Sequence, residues 1–112
     1  MGALDAMAAR VARGETVHFR PRGSSMVPLI RSRQLVTVAP VDPAHVEVGD
    51  IVLARVAGTV YLHLVTAVDG TRVQIANNRG HINGWTTHPR IFGLCTAIEG
   101  TPRRNTANKV RS

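Results

Sequence analysis

The chain has 112 residues, 44% of them hydrophobic, so one domain with a real core is expected and global disorder is excluded. A single cysteine, Cys95, excludes an intrachain disulfide and fits a reducing, cytoplasmic setting. No apolar run approaches the ~20 residues that cross a bilayer, Met1–Arg10 lacks the apolar middle of a secretory signal, and the formal charge of +7 raises nucleic acid as a partner.

In chain order, Leu4, Met7, Ala8 and Val11 fall at helical spacing before Gly14 and predict a short helix. Thr16–Arg20 alternates like a strand, and Pro21 and Gly23 break it. Leu35–Val41 is β-rich, and Asp42-Pro43 starts a turn. Ile51–Val56 and Val60–Val68 read as strands joined at Ala57-Gly58. Asp69-Gly70 signals a second hairpin into Arg72–Ala76. Asn77–Arg90 is loop-like, and Ile91–Ile98 closes the series. The expected fold is mainly β with one short N-terminal helix over 1–14, a β domain over 15–99 and a basic flexible tail over 100–112.

Arg103, Arg104, Lys109 and Arg111 lie in that tail, and Arg20, Arg22, Arg31 and Arg33 flank residues 23–28. With only two phenylalanines, one tyrosine and one tryptophan available for base stacking, the tail reads as a solvated terminus and nucleic acid is disfavoured.

Two places carry chemistry. Gly23-Ser24-Ser25-Met26-Val27-Pro28 can present a small hydroxyl on a tight turn, with Met26 turned inward as packing. Val60-Tyr61-Leu62-His63-Leu64-Val65 puts an imidazole in an apolar strand. Each has a plainer reading, a turn for the serines and a buried strand histidine for His63. Together they are the minimum equipment of a serine nucleophile with its base. Asn77–Trp85 reads either as a structured surface loop or as a wall of the site, with Trp85 as an apolar lid and His81 as a second ionisable group. His81, His88 and Cys95 lack zinc-site spacing, so no metal is assigned, and no cofactor is expected.

The run Gly-Ser-Ser-Met-Val-Pro resembles the Ser-Met-x-Pro box of the type I signal peptidases and their LexA/UmuD-like relatives. The resemblance continues through Gly49-Asp50-Ile51-Val52-Leu53, the His63 strand and Ile91-Phe92-Gly93-Leu94, from Thr16 to about Glu99. It implies a signal-peptidase/LexA-like β-fold, Ser25 as nucleophile and His63 as base; Ser24 is the fallback nucleophile if the turn is shifted by one residue. It also implies an oxyanion held chiefly by the Ser25 backbone N–H and small side chains at the cleaved position. The chain departs from the family at Gly23, where bacterial signal peptidases carry a serine, and at Arg33-Gln34, where Gly-Asp is usual. Ile75–Asn83 has no acidic residue to orient the base, which leaves Asn77, Asn78, Asn83 or Asp50 for that task.

Two functions follow. The first is a soluble serine endopeptidase cutting an extended peptide or protein substrate with a Ser25–His63 dyad. The second is an inactive member of the same fold serving as a binding or regulatory module. Too few residues precede the β region for a helix-turn-helix domain. Ala57-Gly58, which looks like the family's self-cleavage site, falls on a predicted hairpin. The oligomeric state is left open.

Overall fold

In the computed structural model, which describes residues 2–111, the N-terminal periodicity forms one helix, α1 (Asp5–Ala12), with Ala8 and Val11 buried. Gly14, just past its end, takes a φ of 97°, a backbone that disfavours any other residue. Eight strands follow: β1 (Val17–Phe19), β2 (Val36–Pro40), β3 (Ile51–Val56), β4 (Thr59–Asp69), β5 (Arg72–Ala76), β6 (Ile82–Thr87), β7 (Ile91–Ile98) and β8 (Thr101–Pro102). All pairings are antiparallel, in the order β1-β2-β7-β3-β4-β5-β6, with β8 added to β7. The protein is therefore mainly β with one short helix. No helix among the described residues is long and apolar enough to cross a membrane.

β3 is the centre of the fold because it is buried on both faces. Ile51 and Leu53 pack with Val11, Val36, Val38 and Met26, whereas Val52, Ala54 and Val56 pack with Val65, Val73, Ile75 and Leu94. One helix cannot cover two faces, so the β4–β6 half of the sheet curls back over the second. Thr86 of β6 closes that curl by donating its hydroxyl to the Arg55 carbonyl at 2.7 Å. On the other face α1 crosses β7 at Gly93, where a Cβ would stand 2.6 Å from Val11 Cγ1. The glycine is what lets helix and sheet approach.

The β3–β4 hairpin turns at Ala57 and Gly58, with φ of 48° and 86°. Two stretches differ from expectation. Residues 77–90 are not all loop: Ile82–Thr87 is strand β6, paired with β5. The expected flexible tail is anchored at several points, although most of its described residues are exposed. Val110 bridges Val41, Arg111 N–H donates to the Pro40 carbonyl, and Thr106 and Lys109 are buried.

Charge explains the docked tail. Asp50 is buried, and Lys109 Nζ meets both of its carboxylate oxygens, at 3.1 and 3.0 Å, and Glu47 Oε1 at 2.9 Å. Burial works to lower the ammonium pKa, but the hydrogen bonds and charges of Glu47 and Asp50 outweigh it and raise it. Lys109 is thus a counter-ion inside the fold, not a solvated charge. Lys109→Ala leaves the buried Asp50 carboxylate without a counter-ion, with only the Glu47 N–H still donating to it, and should destabilise the protein by about 3–5 kcal/mol. Glu47, whose side chain is 70% exposed, adds little to that figure. Urea unfolding of Lys109→Ala, Asp50→Ala and the double variant checks this: the double should cost clearly less than the sum of the singles.

Candidate active site

The serine turn is held by its own apolar residues. Gly23 has a φ of 112°, and two turn bonds follow: Val27 N–H to the Ser24 carbonyl at 3.2 Å and Ile30 N–H to the Met26 carbonyl at 3.0 Å. Met26 and Ile30, four residues apart, are both buried in the core beside α1. Their burial leaves Ser25 half-buried between them and the surface, while Ser24 is exposed.

His63 comes from β4. Successive side chains on a strand alternate in direction, so Val60 and Leu62 join the core with Met26, while Tyr61 and His63 share the other face. Their rings stack, with centroids 4.9 Å apart and planes at 24°. His63 Nε2 lies 3.2 Å from Ser25 Oγ, and Nδ1 lies 2.7 Å from Asn83 Oδ1. With the amide oxygen toward the ring, Nδ1 carries the proton and donates it to Asn83. Nε2 then keeps its lone pair and accepts from the Ser25 hydroxyl.

Asn83 reaches the ring because of a bulge. Ile75 pairs with Gly84 and Ala76 with Ile82, which makes Asn83 the extra residue, and bulges re-aim side chains. Gly84 accepts the required φ of 138° and sits against Val56. In the sequence Asn-Gly reads as a turn, which is why this strand was not expected.

The other two asparagines hold the frame. Asn77 Oδ1 accepts from the backbone N–H groups of Arg79 and His81 and shapes the β5–β6 loop. Asn78 ties that loop to the serine turn, donating its N–H to the Ser25 carbonyl at 2.8 Å and its amide to the Val27 carbonyl at 3.0 Å. The Ser25 N–H has no acceptor among the described residues, so it is free to donate to a ligand.

His81 is exposed and does not join the dyad, although its charge acts on His63. Trp85 is not a lid: it does not line the cavity at Ser25, and the Arg72 guanidinium lies 4.8 Å from its ring centroid. Asp50, tied to Lys109, is not the orienting group. Cys95 is buried, and burial pushes its thiol up to about 11, so it is no rival nucleophile. The stacked Tyr61 carried no sequence signal beyond its i, i+2 spacing to His63.

A cavity of about 190 Å³ opens beside the dyad, between Pro21–Gly23 and Val60–His63. A larger one of about 530 Å³, between the end of α1, Pro40 and Pro89, contains neither dyad residue. Comparison with protein-family models, with curated proteins and with solved structures finds no match to this chain.

Burial lowers the His63 pKa. The Asn83 hydrogen bond acts the other way, and the charge of His81 adds to the lowering. The His63 ring is therefore neutral, and able to accept a proton, throughout the neutral range. Titration of the His63 ring by NMR should give a midpoint below the ordinary ~6.5. Asn83→Asp places a carboxylate on Nδ1 and should move that midpoint above the wild-type value.

Proposed function

We propose that the protein is a serine hydrolase cutting extended peptides, with Ser25 as nucleophile, His63 as base and Asn83 as the group that orients the base. The observation that carries this reading is the continuous chain of contacts from Ser25 Oγ to His63 to Asn83, at 3.2 and 2.7 Å. A base oriented by a third group is the general signature of an activated nucleophile, and an asparagine fills that role in some enzymes. The order of the serine box, the Gly49-Asp50 strand and the strand histidine adds to it, through the resemblance to type I signal peptidases and LexA-like peptidases. A lone, buried Cys95 is in keeping with work in a reducing, cytoplasmic compartment.

Ser25 Oγ attacks the scissile carbonyl carbon as His63 Nε2 takes the hydroxyl proton. The carbonyl π pair moves to oxygen, and the unpartnered Ser25 N–H donates to that oxyanion. The tetrahedral intermediate collapses, the C–N bond breaks, and His63 returns the proton to the leaving amine. Water, deprotonated by the same nitrogen, then attacks the acyl carbon, the C–Oγ bond breaks, the acid is released, and His63 returns the proton to Ser25 Oγ. Asn83 keeps the correct tautomer but carries no charge to offset the imidazolium, so the turnover is expected to be modest.

The peptide has a place to lie. From Thr59 to His63, β4 pairs with β3 and, among the described residues, with no second strand, and its pairing with β5 starts at Leu64. The unpaired edge borders the cavity opposite Pro21–Gly23, so an extended chain can add there as a strand.

A fluorophosphonate probe should label the wild-type protein, and intact and peptide mass spectrometry should locate the adduct on Ser25. Ser25→Ala should abolish labelling, and His63→Ala should slow it by about 10²–10⁴. Labelling should fall with acidity, because a protonated ring cannot accept the serine proton. Its midpoint should lie below pH ~6.5, since burial lowers the His63 pKa. A folded protein that takes up no probe would mark the chain as a binding module.

A further inference from the structure

We infer that the cavity beside Ser25 takes an apolar side chain of the peptide while Arg22 and Arg31 at its rim hold a neighbouring substrate carboxylate, so that the preferred substrates are acidic peptides. This rests on the hydrolase reading for its chemistry, but its recognition element stands on separate observations.

The first is shape. Leu4, Met26, Ile30, Val60 and Leu62 line the cavity, and its volume of about 190 Å³ is below the roughly 300 Å³ at which whole small-molecule ligands are usually enclosed. It suits one side chain of a longer molecule whose backbone lies along β4.

The second is charge bookkeeping. The chain has seven acidic residues against 14 lysines and arginines. None of the seven lines the cavity, six of them meet a lysine or arginine, and Asp42 lies beside an imidazole. Asp5 meets Arg55, Glu15 meets Arg10 and Arg13, and Asp42 meets His45. Glu47 and Asp50 share Lys109, Asp69 meets Arg72, and Glu99 meets Arg20. Arg22 and Arg31 also line the cavity, and among the described residues neither guanidinium has a hydrogen-bond or carboxylate partner. Two guanidiniums left unpaired beside an apolar cavity are complementary to a carboxylate next to an apolar side chain, and arginine is well suited to bidentate carboxylate binding. This departs from the small side chains at the cleaved position that the family resemblance implies. A nucleic acid would meet the same charge, but the cavity lining offers it only Tyr61 and His63 to stack on, and those two rings stack on each other.

The test separates recognition from chemistry by using the Ser25→Ala protein. Fluorescence anisotropy measures its affinity for two matched peptides, one with leucine flanked by glutamates and one with leucine flanked by lysines. The glutamate peptide should bind about tenfold more tightly at low salt, and the preference should shrink as salt screens it. Replacing its leucine by glycine should weaken binding. Adding Arg22→Glu and Arg31→Glu, at exposed positions, should invert the preference, with circular dichroism confirming the fold. Equal affinity for the two peptides overturns the inference. So does a single-stranded oligonucleotide of equal charge that binds as tightly as the glutamate peptide and competes with it. A clear glutamate preference in a protein whose wild type takes up no fluorophosphonate leaves the recognition intact and removes only the hydrolase reading.

Discussion

A strand buried on both faces dictates how the rest of this molecule is arranged. β3 carries apolar side chains in two directions, Ile51 and Leu53 one way and Val52, Ala54 and Val56 the other. The helix, β1 and β2 cover the first direction. The second is covered only if the sheet folds on itself, which brings β6 over β3. The site is a by-product of that closure. It brings the β5–β6 loop and the bulged Asn83 to the same end of β4 as His63, next to the serine turn. The serine turn belongs to no strand, and it is fixed there by the burial of Met26 and Ile30 and by two hydrogen bonds from Asn78.

The site is built from neutral groups. Three asparagines do the positioning: Asn77 for the loop, Asn78 for the serine turn and Asn83 for the imidazole. An aspartate at 83 would raise the His63 pKa by favouring the imidazolium, whereas an amide oxygen chooses the tautomer without adding charge. Burial then prevails and holds the ring neutral. The most buried ion pair among the described residues, Lys109–Asp50, lies elsewhere and anchors the C-terminal segment.

What could be read from the residues alone follows their physical roles. Several turns with positive φ were legible because glycine marks them, as at Gly23 and Gly58, whereas Arg33 and Asn105 adopt it with no such signal. Most strands were legible from β-branched runs. The pairing of Ser25 with His63 could be expected from the order of the boxes, although it depends on contacts 38 residues apart. Asn83-Gly84 was misread because the same dipeptide serves hairpin turns and bulges, and only pairing with Ile75 and Ala76 decides between them. Lys109 was misread because a cation in a polar segment looks solvated until its partner is known. That partner, Asp50, lies 59 positions away.

The same reasoning bears on the net charge. A surplus of +7 looks like a property of the whole surface, yet pairing divides it into two populations. One is matched to six of the seven acids, from Arg55–Asp5 to the buried Lys109–Asp50. The other has no internal partner and includes the two arginines at the cavity. Catalysis on the proposed route creates an imidazolium at His63 with no acidic residue beside it and two guanidiniums at the neighbouring rim. A carboxylate brought by the substrate would supply negative charge on that side of the site, in a partly desolvated setting where Coulomb terms exceed their value in water. Substrate recognition and stabilisation of the charged base would then draw on the same group, which makes an orienting asparagine, rather than an aspartate, a consistent choice.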